Sequence, residues 1–136
     1  MRNGVTLLLH PPEMITVALA QKRINESLVG FPPRVTEAYL AFAEHGDVAS
    51  LDIVVLGVLH FYLAKKTSEP LDTLPGTTRL VEDLGCDSLT MMDTVFMAES
   101  LLDIKIDDSQ LARLSTLDEL LGYIRTQVKN RATTAA

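Results

Sequence analysis

From Ile53 to Ala64 the chain reads Ile-Val-Val-Leu-Gly-Val-Leu-His-Phe-Tyr-Leu-Ala, with Asp52 before it and Lys65 and Lys66 after it. This run decides most of what the chain can fold into. It is too short to cross a membrane, which takes about 20 apolar residues, and it is long for a strand. A helix over 48–66 is the expectation, with Ser50 or Asp47 as its cap and the two lysines near the negative end of its dipole. On such a helix Ile53, Val54, Val55, Leu56, Val58, Leu59, Phe61, Tyr62 and Leu63 point in all directions. A helix that is apolar on every face has to be covered on every face. A small bundle packed on one side would leave part of it wet, and the two preceding helices are the obvious cover, so residues 1–46 are expected to dock on the rest and not to form a separate unit.

Those covering segments also read as helical. Pro11-Pro12 can open a helix over about 12–27 that carries Met14, Val17, Ala18 and Ile24. Gly30 and Pro32-Pro33 break it. Thr36 is a possible cap for a short helix to about Glu44, ended by Gly46. Residues 67–87 look loop-like, with Pro70, Pro75, Gly76 and Gly85. A long helix over 88–102 follows, and Met91, Val95, Ala98 and Leu102 are spaced to form one core-facing stripe. Asp107, Asp108 and Ser109 open a short turn carrying Leu111 and Leu114. Ser115-Thr116-Leu117-Asp118-Glu119 starts a last helix with Leu120, Leu121, Ile124 and Val128. Residues 129–136 read as a frayed tail. No strand alternation, repeat or low-complexity segment stands out. The fold class is therefore all-α.

Composition narrows the function. With 136 residues, 47% hydrophobic and 22% charged, the chain is one folded domain and not a disordered tail. Its net charge of -6 and its lack of tryptophan argue against a nucleic-acid surface. Residues 1–66 hold six acids and six bases, and residues 67–136 hold twelve acids and six bases, so all the excess negative charge is in the second half. Such a field steers basic partners. A single cysteine excludes an internal disulfide and any multi-cysteine metal site. Val5–Leu9 is short for a signal-peptide core, so the expected location is the cytoplasm and the expected state is a monomer with no membrane span.

The segment richest in chemistry is Glu82-Asp83-Leu84-Gly85-Cys86-Asp87-Ser88-Leu89. It resembles the attachment motif of acyl carrier proteins, in which Gly-x-Asp-Ser-Leu places a serine at the start of a long helix. The resemblance continues through Asp103-Ile104-Lys105-Ile106, Ser115-Thr116-Leu117 and Tyr123-Ile124, and covers roughly residues 47–128. It implies a four-helix carrier bundle over 47–128, with residues 1–46 adding one or two helices packed on it and 129–136 as a flexible tail. It also implies a 4′-phosphopantetheine arm from coenzyme A on Ser88, added by a phosphopantetheinyl transferase, with Asp87 as the magnesium and transferase contact. The arm carries acyl groups as thioesters. The chain itself is then no enzyme but visits acyl-loading and acyl-processing enzymes with basic docking patches. The local residues fit independently: a phosphodiester at a helix N-terminus meets the positive dipole end and unpaired donors, and Gly85 allows a tight turn. The plainer alternative is that Ser88 is only a cap and Asp87 only a first-turn acid.

Helical phase places Ser88, Met92, Phe96 and Glu99 on one side, with Asp93 beside them. By the resemblance, Leu89, Met92 and Phe96 are apolar contacts for partners, and Asp93 and Glu99 steer them. The alternative buries Met92 and Phe96 beneath residues 1–46. Met91, Val95, Ala98, Leu102, Leu111, Leu114 and Leu120 are the candidate acyl pocket, made adaptable by methionine. Thr90 and Ser100 stand where the family often has acids, so this helix is less acidic than in a typical fatty-acid carrier. A specialised carrier in lipid or polyketide-like synthesis is the expectation, and a carrier-fold interaction module with Ser88 unmodified is the alternative.

Other chemistry is weak. Cys86 has no resolving partner and no flanking base, so it is expected to fill a loop position. His10, His45 and His60 lack metal-ligand spacing, and no metal is expected. A serine hydrolase is disfavoured because the Gly-x-Ser-x-Gly elbow is missing and no histidine follows Ser88.

Overall fold

The computed structural model describes residues 15–134, with side chains to Arg131. Six α-helices are present among them: α1 (Val17–Ser27), α2 (Pro33–His45), α3 (Val48–Tyr62), α4 (Ser88–Leu102), α5 (Asp108–Leu111) and α6 (Leu117–Thr134). A 3-10 turn spans Leu71–Thr73. The described residues contain no strand; an isolated antiparallel bridge joins Arg79 and Thr116.

The helix predicted to need cover on all sides receives it. Leu51, Val54, Val55, Leu56, Val58 and Leu59 of α3 are buried. α2 packs along one side, α4 and α6 along others, and the 3-10 turn closes over a further part. Gly57 sets how near α2 can come, because a Cβ placed there would lie 2.4 Å from Cγ2 of Val35. From α2, Val35, Ala38, Tyr39, Phe42 and Ala43 are buried in the shared core. Phe31, just before α2, stacks on Phe61 of α3 with centroids 3.9 Å apart.

Arginine–aspartate pairs tie the helices at their edges. Nη2 of Arg23 in α1 lies 3.0 Å from both carboxylate oxygens of Asp103 at the end of α4. Arg34 of α2 holds Asp72 of the 3-10 turn through two bonds. Arg125 of α6 holds Asp52 of α3, with Nε 3.0 Å from Oδ1. α6 starts with a capping box: Thr116 Oγ1 accepts from Glu119 N, and Glu119 Oε1 accepts from Ser115 N and Thr116 N.

Several boundaries differ from the sequence expectation. α1 starts at Val17, where the Thr16 hydroxyl accepts from Leu19 N; Pro11-Pro12 and Met14 lie outside the described residues. Pro33 starts α2 at its first position, where a missing N–H costs nothing, and Thr36 sits inside the helix donating to Pro33 O. Gly46 ends α2 in the left-handed conformation as expected. Asp47 caps α3 by accepting from Ser50 N. α3 stops at Tyr62, short of the lysines, and Lys66 Nζ instead donates to Leu63 O. α6 continues past 128 to Thr134, so much of the expected tail is helix; Ala135 and Ala136 lie outside the described residues.

The α2–α3 contact generates a prediction with a reversible sign. Alanine in a helix interior is favoured over glycine by roughly 0.5–1 kcal/mol, but overpacking a core costs about 1–3 kcal/mol. Gly57→Ala is expected to lower unfolding stability in urea by about 1 kcal/mol, because the buried Val35 has to give way. In a Val35→Ala background, itself less stable, the added Gly57→Ala is expected to be neutral or stabilising. Equal destabilisation in both backgrounds would show that Val35 does not set the contact.

Candidate functional site

α4 begins where residues 79–87 fold back on themselves. Gly85 N donates to Val81 O at 3.0 Å, and Cys86 N donates to Leu80 O at 2.9 Å. Gly85 takes φ +70°, a left-handed conformation that costs glycine little and other residues more. Leu84 and Cys86 are buried and anchor the loop. Asp87 is then the cap, with Oδ1 accepting from Thr90 N at 2.8 Å. That N–H holds its carboxyl below the usual carboxylate range. Ser88 is therefore the first helical residue and not the cap. It is exposed, and among the described residues no hydrogen bond engages its hydroxyl.

A groove of about 850 Å³ opens beside Ser88, between α4 and the segment from Asp108 to Leu114. Of the candidate pocket residues, Met91, Val95, Leu111 and Leu114 line it; Leu80 and Cys86 add to the wall. Ala98, Leu102 and Leu120 do not. They are buried in the core. The stripe expected to face the core holds at Ala98 and Leu102, which are buried; in the first half of α4 Thr90 and Thr94 are buried instead, while Met91 and Val95 are half-exposed at the groove. The threonines can go inside because each hydroxyl is satisfied, Thr90 by Tyr62 O at 3.3 Å and Thr94 by Thr90 O at 2.8 Å. Hydroxyls bonded to backbone carbonyls carry no signal in hydrophobic periodicity, so sequence reasoning missed them.

Around the groove lies apolar surface. Leu89 is 65% exposed, Met92 66% and Phe96 73%. They are not buried beneath the N-terminal helices: α1 packs on α2 and α2 on α3, and Arg23 and Tyr39 reach the C-terminal end of α4. Val81, 63% exposed and lining the same groove, was not singled out from sequence. Asp93 is exposed on this face. Glu99 is half-buried, and its Oε2 accepts from Ile106 N at 2.9 Å, which holds the loop after α4.

Cys86 sits in the wall with Sγ 3.7 Å from Sδ of Met91. Burial, and to a lesser degree Asp87, pushes its thiol up to about 11. His60 Nε2 lies 3.1 Å from Thr67 O, a packed histidine, and His10 lies outside the described residues. Among the described residues no group of three or more metal-ligating side chains is close enough to hold an ion, and no helix is long and apolar enough to cross a membrane.

The family described as "Phosphopantetheine attachment site" matches residues 58–124. The chain is 38% identical over 50 residues to the acyl carrier protein of Thermotoga maritima, covering 37% of this chain and 62% of that protein's length. It is 30% identical over 66 residues to the acyl carrier protein of an Exiguobacterium species, covering 48% of this chain and 84% of the relative. Acyl carrier protein 3 of Ralstonia nicotianae is 26% identical over 82 residues, or 60% of this chain and 94% of the relative. No solved structure matches the chain.

The Cys86 environment gives a direct test. A thiol titrating near 11 holds about a hundredfold less thiolate at pH 8 than an ordinary one. Iodoacetamide labelling of the native chain, followed by mass, is expected to be slower than that of the urea-unfolded chain by about that factor or more. Comparable rates would contradict the buried, raised thiol.

Proposed function

The chain belongs to the acyl carrier protein family, and we propose that Ser88 is the residue bearing its 4′-phosphopantetheine arm. The observation that carries this is an exposed, unengaged serine hydroxyl at the first position of a long helix, with Asp87 rather than Ser88 doing the capping. The hydroxyl oxygen forms a bond to the pantetheine-side phosphorus of coenzyme A, adenosine bisphosphate leaves, and the serine proton goes to the transferase. Asp87 lies beside that oxygen, a charged carboxylate at neutral pH and suited to a magnesium ion during transfer. The arm supplies a thiol that holds an acyl group as a thioester. Backbone donors of the α4 first turn favour the phosphodiester charge. As a family member the chain is a carrier, and the acyl chemistry belongs to the enzymes it visits.

Residues 47–128 are the carrier unit in this reading and residues 1–46 an extension integrated with it. The groove is the acyl pocket, lined by Met91, Val95, Leu111 and Leu114, with Ala98, Leu102 and Leu120 as the core beneath it. Leu89, Met92 and Phe96 are the partner contacts, with Asp93 as the charged contact. Thr90 is buried, Ser100 is uncharged, and Glu99 is occupied by Ile106 N. Those features support a specialised carrier over one serving general fatty-acid synthesis. Loading by general fatty-acid enzymes at a rate equal to their own carrier would oppose it.

The first test is intact mass after incubation with coenzyme A, magnesium and a broad-specificity phosphopantetheinyl transferase. The native chain is expected to gain one phosphopantetheine and Ser88→Ala none. A folded native chain that stays unmodified would favour an interaction module with Ser88 bare. For the docking face, Phe96→Asp is expected to leave helicity unchanged and raise the transferase KM for the chain about fivefold or more, since exposed aromatics dominate interfaces. An unchanged KM would remove Phe96 from the contact surface.

A further inference from the structure

We infer that Arg23, in the N-terminal extension, is a positioning residue for the far wall of the Ser88 groove. The functional part of this inference rests on the groove being the acyl pocket. That wall is α5 with Leu111, Ala112 and Leu114. α5 has four residues and none is fully buried; its Leu111 packs partly against the core, and Ser109 and Gln110 are exposed. The connection from Asp103 to Asp107 leads into it; Ile104 and Ile106 are buried in the core, and three polar ties hold the connection besides. Ile106 N donates to Glu99 Oε2 at 2.9 Å, and Asp107 N donates to the Tyr123 hydroxyl at 2.9 Å. The third tie comes from outside the carrier unit.

That third tie is at Asp103, where α4 ends and the chain turns toward α5. Among the described residues Asp103 is the one non-glycine with positive φ, at 54°. Its carboxylate lies 3.0 Å through each oxygen from Arg23 Nη2. Arg23 Nη1 also donates to Leu101 O at 2.9 Å, the same carbonyl that accepts from the Tyr39 hydroxyl at 2.5 Å. The ion pair is partly shielded, with side chains 19% and 31% exposed, so water competes with it less than on an open surface. Charge-assisted bonds of this kind are among the stronger ones. The extension thus holds the hinge from which the groove wall hangs.

Arg34 provides the control. It also ties the extension to the carrier unit, but at Asp72 of the 3-10 turn and not at the connection that leads into α5. In amide hydrogen exchange of the unmodified chain, Arg23→Ala is expected to speed exchange across residues 104–112 about tenfold, with α6 unchanged. Arg34→Ala is expected to leave residues 104–112 as in the native chain. Asp103→Asn, which keeps the shape and removes the charge, is expected to act like Arg23→Ala, and the double variant to add little more. Unchanged exchange over 104–112 in the Arg23 and Asp103 variants, or an equal rise in Arg34→Ala, would overturn the inference. A second readout follows cargo. With octanoyl or acetyl on the arm, Arg23→Ala is expected to speed hydroxylamine release of octanoyl several-fold and leave acetyl unchanged. Equal release of the two from the native chain would count against the acyl pocket alone, and the exchange result would still decide the role of Arg23.

Discussion

The apolar surface of α3 runs around most of its circumference, and the rest of the structure is arranged to keep it from water. Fully burying an aliphatic side chain is worth roughly 1.5–3 kcal/mol, and α3 alone buries Leu51, Val54, Val55, Leu56, Val58 and Leu59. α4 and α6 pack on parts of this surface. α2 supplies a further side with Val35, Tyr39 and Phe42, themselves buried. The dependence is mutual: without α3 the α2 face is exposed, and without α2 the α3 face is. The extension is therefore part of the core that fixes α3. Because α4 packs on α3, the extension also bears on where α4 lies.

α4 is treated differently at its two ends. At the C-terminus, carbonyls that lack a helical partner are taken up: Leu101 O receives both Arg23 Nη1 and the Tyr39 hydroxyl, and a guanidinium there suits the negative end of the dipole. At the N-terminus the one carboxylate cap, Asp87, takes up the Thr90 N–H, and Ser88 stands outside that bond. A helix fixed at its far end and left accessible at its near end presents an exposed hydroxyl in a defined place. The loop from Arg79 to Cys86 contributes rigidity, since Asp83 returns to Arg79 N at 2.8 Å and Gly85 and Cys86 close onto Val81 and Leu80.

What was legible in the sequence was what periodicity and punctuation encode. α4 came out with its observed bounds because Asp87-Ser88 and the stripe agree, and Gly46 ended α2 where a left-handed residue was needed. Pro32-Pro33 read as a break, yet Pro33 starts a helix; the same residue does both, and only the tertiary position of α2 decides which. Ala98 and Leu102 face the core as their spacing indicates, but the first half of α4 buries Thr90 and Thr94 instead of Met91 and Val95, because both hydroxyls are satisfied on backbone carbonyls and the threonines behave as small core residues. Met91 and Val95 are apolar for another reason: they line the groove. Glu99 fell on the outward side of the helix by phase, but its length lets it bend to Ile106 N. Long-range ties such as Arg23 to Asp103 leave no local pattern at all.

The same ties change what the charge of the second half means. Its twelve acids suggest a surface waiting for basic partners. Seven of them are engaged in holding the fold: Asp72, Asp83 and Asp103 by arginines, Asp87, Asp107 and Glu119 as helix caps, and Glu99 by a backbone N–H. Engagement does not remove the negative charge that acts at a distance, and pairing with arginine reduces it only where an arginine is present. Long-range attraction of a basic partner therefore persists and acts on the rate of encounter. At contact the balance differs, because the outward side of α4 offers Leu89, Met92 and Phe96 against the single exposed acid Asp93. Apolar contact governs how long a partner stays more than how fast it arrives. On the proposed docking role of this face, its partner approaches through the field of the whole second half and is retained by a complementary apolar surface beside Ser88.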